Sequence, residues 1–432
     1  MSALFAIVGS GPSGMYTADA LIKHFPDCRV DVFDKCAMPF GLIRFGVAPD
    51  HFRTKNTARR YARTLELDNV RFLGNVSIGR DLSMKELEDN YDAVVMAIGA
   101  YNDRKLGIPG EDLPGVYGAC AFVGWYNGHF DYRDLDPLLD GEGMAVIGIG
   151  NVALDVARVI AKTREEMRNT DICAHALDLI QDMPVKDIHI FGRRGAVEAG
   201  FTTKELVEIL DLERCAVKVD GGQIPDEVSG GFDGRKKSRK EKNLEVLRQL
   251  AAQEKPEKPV KMHVQFYASP KEILGADRVE AILMERTAVV DGRAVSTGET
   301  FEVPCCSVVT AIGYFTAPPK TLPLDGATID NVYGRVREGV YVVGWAKRGS
   351  SGTIPTNGPD SRSVVDLLIA DVDRVGKPGG EVIDSLLSER NIRVIDFEDA
   401  KKIRTAEIER ATDGHPQEKF TRLSEVLTVL DD

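Results

Sequence analysis

No Cys-x-x-Cys pair occurs among the seven cysteines of this 432-residue chain, which stand at 28, 36, 120, 173, 215, 305 and 306. That spacing excludes the usual redox-active disulfide, zinc knuckle and iron–sulfur ligand set. A reducing, cytoplasmic compartment is expected. Long apolar runs are also missing: Ala93 to Ala100 is among the longest, about half of the ~20 residues a bilayer-spanning helix needs. Met1 to Ile7 carries no basic stretch ahead of an apolar one, so no secretory leader is expected. Positive charge is in deficit. With 55 Lys and Arg against 67 Asp and Glu, the formal charge is −12, which disfavours general nucleic-acid binding but leaves room for a local basic patch toward an acidic partner. What remains, 43% hydrophobic and 28% charged residues, is ordinary for a globular protein with two or three domains.

Two glycine motifs stand out. Residues 3 to 8, Ala-Leu-Phe-Ala-Ile-Val, have the continuous apolar character of a buried parallel strand, and Gly9-Ser10-Gly11-Pro12-Ser13-Gly14 follows directly, with a helix expected from Met15 to Lys23. In a strand–turn–helix setting, Gly9 permits the tight turn, Gly11 lets backbone approach a pyrophosphate, and Gly14 lets the helix pack on the strand. The next strand, Arg29 to Phe33, ends at Asp34, 25 positions after Gly9. A carboxylate there suits ribose hydroxyls.

The pattern returns at Met144 to Ile147, followed by Gly148-Ile149-Gly150-Asn151-Val152-Ala153 and a helix expected from Leu154 to Lys162. Here the following strand, Asp187 to Gly192, delivers Arg193 and Arg194 instead of an acid. Guanidinium forks grip a ribose 2′-phosphate, so this site reads as one for NADP. Two further apolar segments, Tyr91 to Gly99 and Cys306 to Gly313, both end in Ala-Ile-Gly and are expected to cross back beneath the dinucleotides.

Longer motifs carry a resemblance. Pro39-Phe40-Gly41-Leu42-Ile43-Arg44-Phe45-Gly46-Val47-Ala48-Pro49-Asp50-His51, Gly74-Asn75-Val76, Gly107-Ile108-Pro109-Gly110-Glu111, Gly150 to Arg158, Gly192-Arg193-Arg194-Gly195 and Val343-Gly344-Trp345-Ala346-Lys347-Arg348-Gly349 together resemble the ferredoxin–NADP reductases of the adrenodoxin reductase type, over about residues 3 to 370. Ser350 and Pro355 depart from the family pattern. The resemblance implies FAD in the first site, NADP in the second, and a ferredoxin-type iron–sulfur protein as partner. It sets FAD against Gly14, Asp34, Leu42, Val76, Trp345, Gly352, Thr353 and Ile354, beside Gly9, Gly11 and Ser13 of the turn. It sets NADP against Arg104, Ile149 to Val152, Arg193, Arg194, Glu205 and Gly352, beside Gly148 and Gly150. His51 and Glu208 resemble the pair bordering the reacting rings; Glu205 and Glu208 fall on a helix expected from Thr203 to Leu212.

The expected fold is α/β, with two Rossmann-like, doubly wound dinucleotide-binding domains. The NADP domain (105–319) is inserted into a discontinuous FAD domain (1–104 and 320–370), and 371–432 form a C-terminal extension. The expected activity is hydride transfer from NADPH to FAD, then single electrons to ferredoxin, or the reverse. Arg235, Lys236, Lys237, Arg239 and Lys240, a basic run in an acidic chain, are the expected docking surface for that partner. Other readings stay open: an electron-transfer subunit resembling the glutamate synthase small subunit, a disulfide reductase, a flavin monooxygenase, or a binding module holding FAD and NADP without turnover.

Overall fold

The computed structural model describes residues 2–252, 257–372 and 377–431. The chain divides into two compact units, one formed by Met1–Asn102, Asn127–Phe130 and Gly313–Asp432, the other by Asp103–Tyr126 and Asp131–Ile312. Residues beyond 370 thus belong with the first unit.

That unit is built on a six-stranded sheet. Its spatial order is Arg335–Arg337, Val340–Val342, Ala93–Met96, Leu4–Val8, Arg29–Phe33, Val70–Leu73, parallel except at the first pair. Leu4–Val8 is buried at all five positions because both faces are covered. Phe5 and Ile7 enter a core with Met15, Leu21, Val364 and Leu368, from the helices Pro12–His24 and Asn357–Asp371. Leu4, Ala6 and Val8 enter a second core with Leu87, Ile383 and Leu387, from the helices Met84–Asn90 and Gly380–Glu389. A third cluster joins Cys36, Met38 and Phe45 to Ile395, Ile403, Phe420 and Val426 of the tail helices Phe397–Glu409 and Leu423–Asp431 and their neighbours.

The other unit holds a six-stranded all-parallel sheet in the order Val116–Gly118, Ser307–Thr310, Gly143–Ile147, Asp187–Phe191, Val260–Gln265, Cys215–Val219. An antiparallel meander of Ala268–Leu274, Ala281–Val290 and Arg293–Pro304 accompanies it. Both units show the doubly wound α/β architecture. The basic run lies on the helix Gly234–Ala252. The helix expected from Thr203 to Leu212 stops at Val207 with Glu208 as its cap, where Ile209 and Leu212 turn into the core. None of the seven cysteines is in a disulfide. Among the described residues no helix is long and apolar enough to cross a membrane.

Candidate functional sites: two glycine turns

In the first unit Gly9 has φ +110°, and a Cβ there would sit 2.5 Å from the Ala97 carbonyl oxygen. The Ala-Ile-Gly segment after strand Ala93–Met96 is therefore the floor beneath the turn. A Cβ on Gly14 would lie 1.9 Å from the Gly9 oxygen, whereas one on Gly11 would meet nothing within 4 Å. Helix Pro12–His24 begins with Gly11 as N-cap and no side-chain capping bond, with Pro12 in its first turn. The open space beside Gly11, at the positive end of the helix dipole, is a ready-made phosphate seat. Asp34 accepts from Ser10 N–H (2.9 Å), Ser10 Oγ (2.5 Å) and Cys36 N–H (2.9 Å). It fixes the turn, and a carboxylate still has acceptor capacity left for a hydroxyl. Val76 N–H donates to the Asp34 carbonyl (2.9 Å).

The rim is built by two loops. Phe40 has φ +84°, rare for an aromatic residue, and its N–H donates to Ser10 Oγ (3.1 Å); a Cβ on the next residue, Gly41, would come within 3.2 Å of Gly11 Cα. Leu42 follows, partly exposed, at the start of the short helix Leu42–Phe45. From the far end of the chain Gly344 (φ +69°) presses on Ser13, whose Cβ and Oγ would be 2.6 Å from a side chain there. Asp360 holds this crossing by accepting from Gly344 N–H (2.7 Å) and Lys347 Nζ (2.9 Å). Trp345 donates Nε1–H to the Ser351 carbonyl (3.0 Å) and stacks near Tyr314, centroids 6.1 Å apart. Asn357 ties the Gly352-Thr353-Ile354 segment to this corner: it donates to the Ile354 carbonyl (3.1 Å) and accepts from Arg348 (2.8 Å). Arg348 leaves Nε buried with no partner, a donor that suits a polar ligand. Gly9, Gly11, Ser13, Gly14, Asp34, Leu42, Val76 and Trp345 are thus brought to one end of the sheet, and the donor set and open cradle fit FAD. His51 lies in the same unit, buried, capping the short helix Phe52–Lys55.

The second unit repeats the device. Gly148 has φ +140°, and a Cβ there would lie 2.3 Å from the Ala311 carbonyl oxygen. Gly150 faces open space as the N-cap of helix Asn151–Ala161, again without a side-chain bond. Asn151 Oδ1 accepts from Thr202 N–H and the Ile149 carbonyl from Gly200 N–H, both at 2.8 Å, so the turn carries the 200–202 segment. Arg193 is exposed and Arg194 partly so, held by backbone alone: their carbonyls accept from Thr287 Oγ1 (2.8 Å) and Tyr267 N–H (3.2 Å). Among the described residues no acid pairs with either guanidinium. Two unspent cations beside an uncapped helix start fit a phosphorylated dinucleotide. Glu208 sits 3.3 Å from Lys204 Nζ and 3.7 Å from Arg158, and Glu205 3.8 Å from Lys204. Arg104 is exposed near the start of this unit.

Residues 7–71 match the family model "NAD(P)-binding Rossmann-like domain". The NADPH:adrenodoxin oxidoreductase of Bos taurus is 38% identical over 453 residues, covering 98% of this chain and 91% of that protein. The NADPH-ferredoxin reductase FprA of Mycobacterium tuberculosis is 41% identical over 393 residues, 87% of this chain and 85% of the relative. Its solved structure in complex with NADPH superposes with a TM-score of 0.93 at 37% identity over 99% of both chains. The chain belongs to the adrenodoxin reductase/FprA family of NADPH-dependent ferredoxin reductases. A thioredoxin reductase from Lactococcus lactis, at 17% identity and a TM-score of 0.51, shares the fold.

Family motifs alone left several contributors unseen. Asp360 and Asn357 shape the first turn through long-range bonds that no local pattern announces, and Phe40, inside a family motif, does so through a backbone conformation the motif does not announce. Asp103 was missed too: it accepts from Cys120 N–H (2.8 Å) and Ala121 N–H (3.2 Å) at the start of helix Ala119–Tyr126, and burial raises its carboxyl to about 6. One expectation needs correction. Lys240 is buried at 8% exposure; its Nζ donates to the Val197 carbonyl and lies 4.5 Å from the Phe232 ring centroid. Burial lowers its pKa, with Arg239 and Arg194 adding repulsion. It cannot present charge to a partner, unlike Arg235, Lys236, Lys237 and Arg239, which are exposed.

Proposed function

We propose that this chain is an FAD-dependent NADPH:ferredoxin oxidoreductase, with FAD at the Gly9–Gly14 turn and NADP at the Gly148–Ala153 turn. One observation carries the reading: two uncapped glycine turns in a single chain, the first followed by Asp34, the second by two guanidinium groups without acidic partners among the described residues. The chemistry FAD supplies when bound is conversion of a two-electron pyridine donor into single-electron deliveries. The chain's own residues bind and orient. Amides of the two helix starts take the pyrophosphates, Asp34 takes a ribose hydroxyl, and Arg193 and Arg194 take the 2′-phosphate. Trp345, braced by Tyr314 and the Ser351 carbonyl, gives a flat apolar wall that excludes water. Leu42, Val76, Gly352, Thr353 and Ile354 complete the flavin side, and Arg104 and Glu205 the pyridine side. His51 and Glu208 are assigned to border the reacting rings. Seven thiols without a disulfide support a reducing, cytoplasmic setting.

The test is coenzyme choice. Replacing Arg193 and Arg194 by Ala raises the KM for NADPH by about 10- to 100-fold for each guanidinium, the worth of a charge-assisted hydrogen bond, and leaves the KM for NADH nearly unchanged. Parallel rises for both coenzymes would remove the NADP assignment.

A further inference from the structure

On the parallel sheet of the second unit His189 and His263 are register partners on adjacent strands. Their rings stack with centroids 4.6 Å apart and planes within 10°. Asp187, two residues before His189, projects from the same face, and its Oδ1 lies 2.7 Å from His263 Nε2. One ligand atom from each of the three falls within 4.8 Å of the others. The opposite face fixes this arrangement: Ile188, Ile190, Met262 and Val264 are all essentially buried, so a one-residue slip in either strand would expose a core face. Gln265 places its amide 3.2 Å from His189 Nδ1. It is the amide nitrogen, Nε2, that faces this ring atom; for a cation to take His189 Nε2, the amide turns end for end so that its oxygen accepts the Nδ1 proton. Asp187 also borders an open hollow of about 360 Å³. Of the three lysines lining that hollow, Lys186 and Lys258 are held by Glu142 and by the Leu212 carbonyl, and Lys261 is the strand partner of Asp187.

We propose that Asp187, His189 and His263 form a binding site for a borderline divalent cation of the zinc type, with water from the hollow as fourth ligand. Two imidazoles and one carboxylate, with an amide ordering one imidazole, are the donor set such ions prefer over magnesium or calcium. No residue of the glycine turns takes part, so the site is separate from coenzyme binding.

The holoenzyme, freed of adventitious metal by dialysis against a chelator, is titrated with Zn2+ in a calorimeter. One equivalent binds per chain, and H189Q and H263Q each weaken that binding at least tenfold while coenzyme affinity stays unchanged. D187N, which preserves shape and removes charge, does the same and serves if either histidine variant fails to fold. Zn2+ binding of equal affinity in wild type and variants, or no stoichiometric binding, would overturn the proposal.

Discussion

Gly9 and Gly148 show how little latitude single positions have in this protein. Each occupies a left-handed backbone region, and each meets a carbonyl oxygen of the neighbouring Ala-Ile-Gly segment closer than any Cβ could tolerate. The sequence echo at 97–99 and 311–313 is thus explained by contact with the turns. Asp103 stands in an environment its sequence position does not announce. Its carboxyl, ordinarily near 4, is raised to about 6 by burial, against two amide donors that favour the charge. The folded state therefore binds a proton that the unfolded chain has released, and Asp103's contribution to stability is lost as pH rises from about 4 to 6. Asp103→Asn, which keeps the acceptor for Cys120 N–H, cancels that dependence. The stability difference between wild type and variant, followed by urea unfolding, should change by up to about 3 kcal/mol across the window. A flat difference would show that the carboxyl titrates normally.

At the level of elements, the two strand–turn–helix units were legible because each is local. An apolar run, three small residues and an amphipathic helix lie within some twenty positions, so local pattern and tertiary role agree. The tail was not legible. Expected only as a C-terminal extension, it forms the helices Phe397–Glu409 and Leu423–Asp431, and Glu407 on the first of them is completely buried. It accepts from Arg44 (2.5 Å) and from Phe420 N–H (3.0 Å). Arg44 belongs to the short helix after Gly41, so a residue 363 positions away braces the loop over the first glycine turn. No spacing rule predicts such a pair. Glu407→Ala leaves a nearly buried guanidinium uncompensated, which costs about 3–5 kcal/mol. The variant should unfold at lower urea concentration and release flavin faster than wild type on dilution. Unchanged flavin retention would mean the loop stands without the tail.

For the whole molecule, net charge sets the terms of partner encounter. A chain at −12 repels an acidic partner on average, and Arg235, Lys236, Lys237 and Arg239, exposed on one helix, are a local departure from that average. Lys236 and Lys237 already have acidic neighbours at 3.5 and 3.9 Å, weak pairs that a partner can displace. Reduction of an acidic ferredoxin should slow as ionic strength rises, since steering is screened beyond a Debye length of about 8–10 Å. Reduction of a small neutral dye by the same preparation should stay constant, and equal salt responses would remove this helix from the encounter. The amino-acid sequence determined the two glycine turns, their acid-versus-arginine distinction and the family, because those depend on residue types at short, fixed separations. Tertiary structure alone decided that Lys240 turns inward, that Glu407 reaches Arg44, that Asp360 anchors Gly344, and that two histidines 74 positions apart in the chain share a face of adjacent strands. Such contacts join residues far apart in the chain, and only the packing of sheets and helices fixes which of them meet.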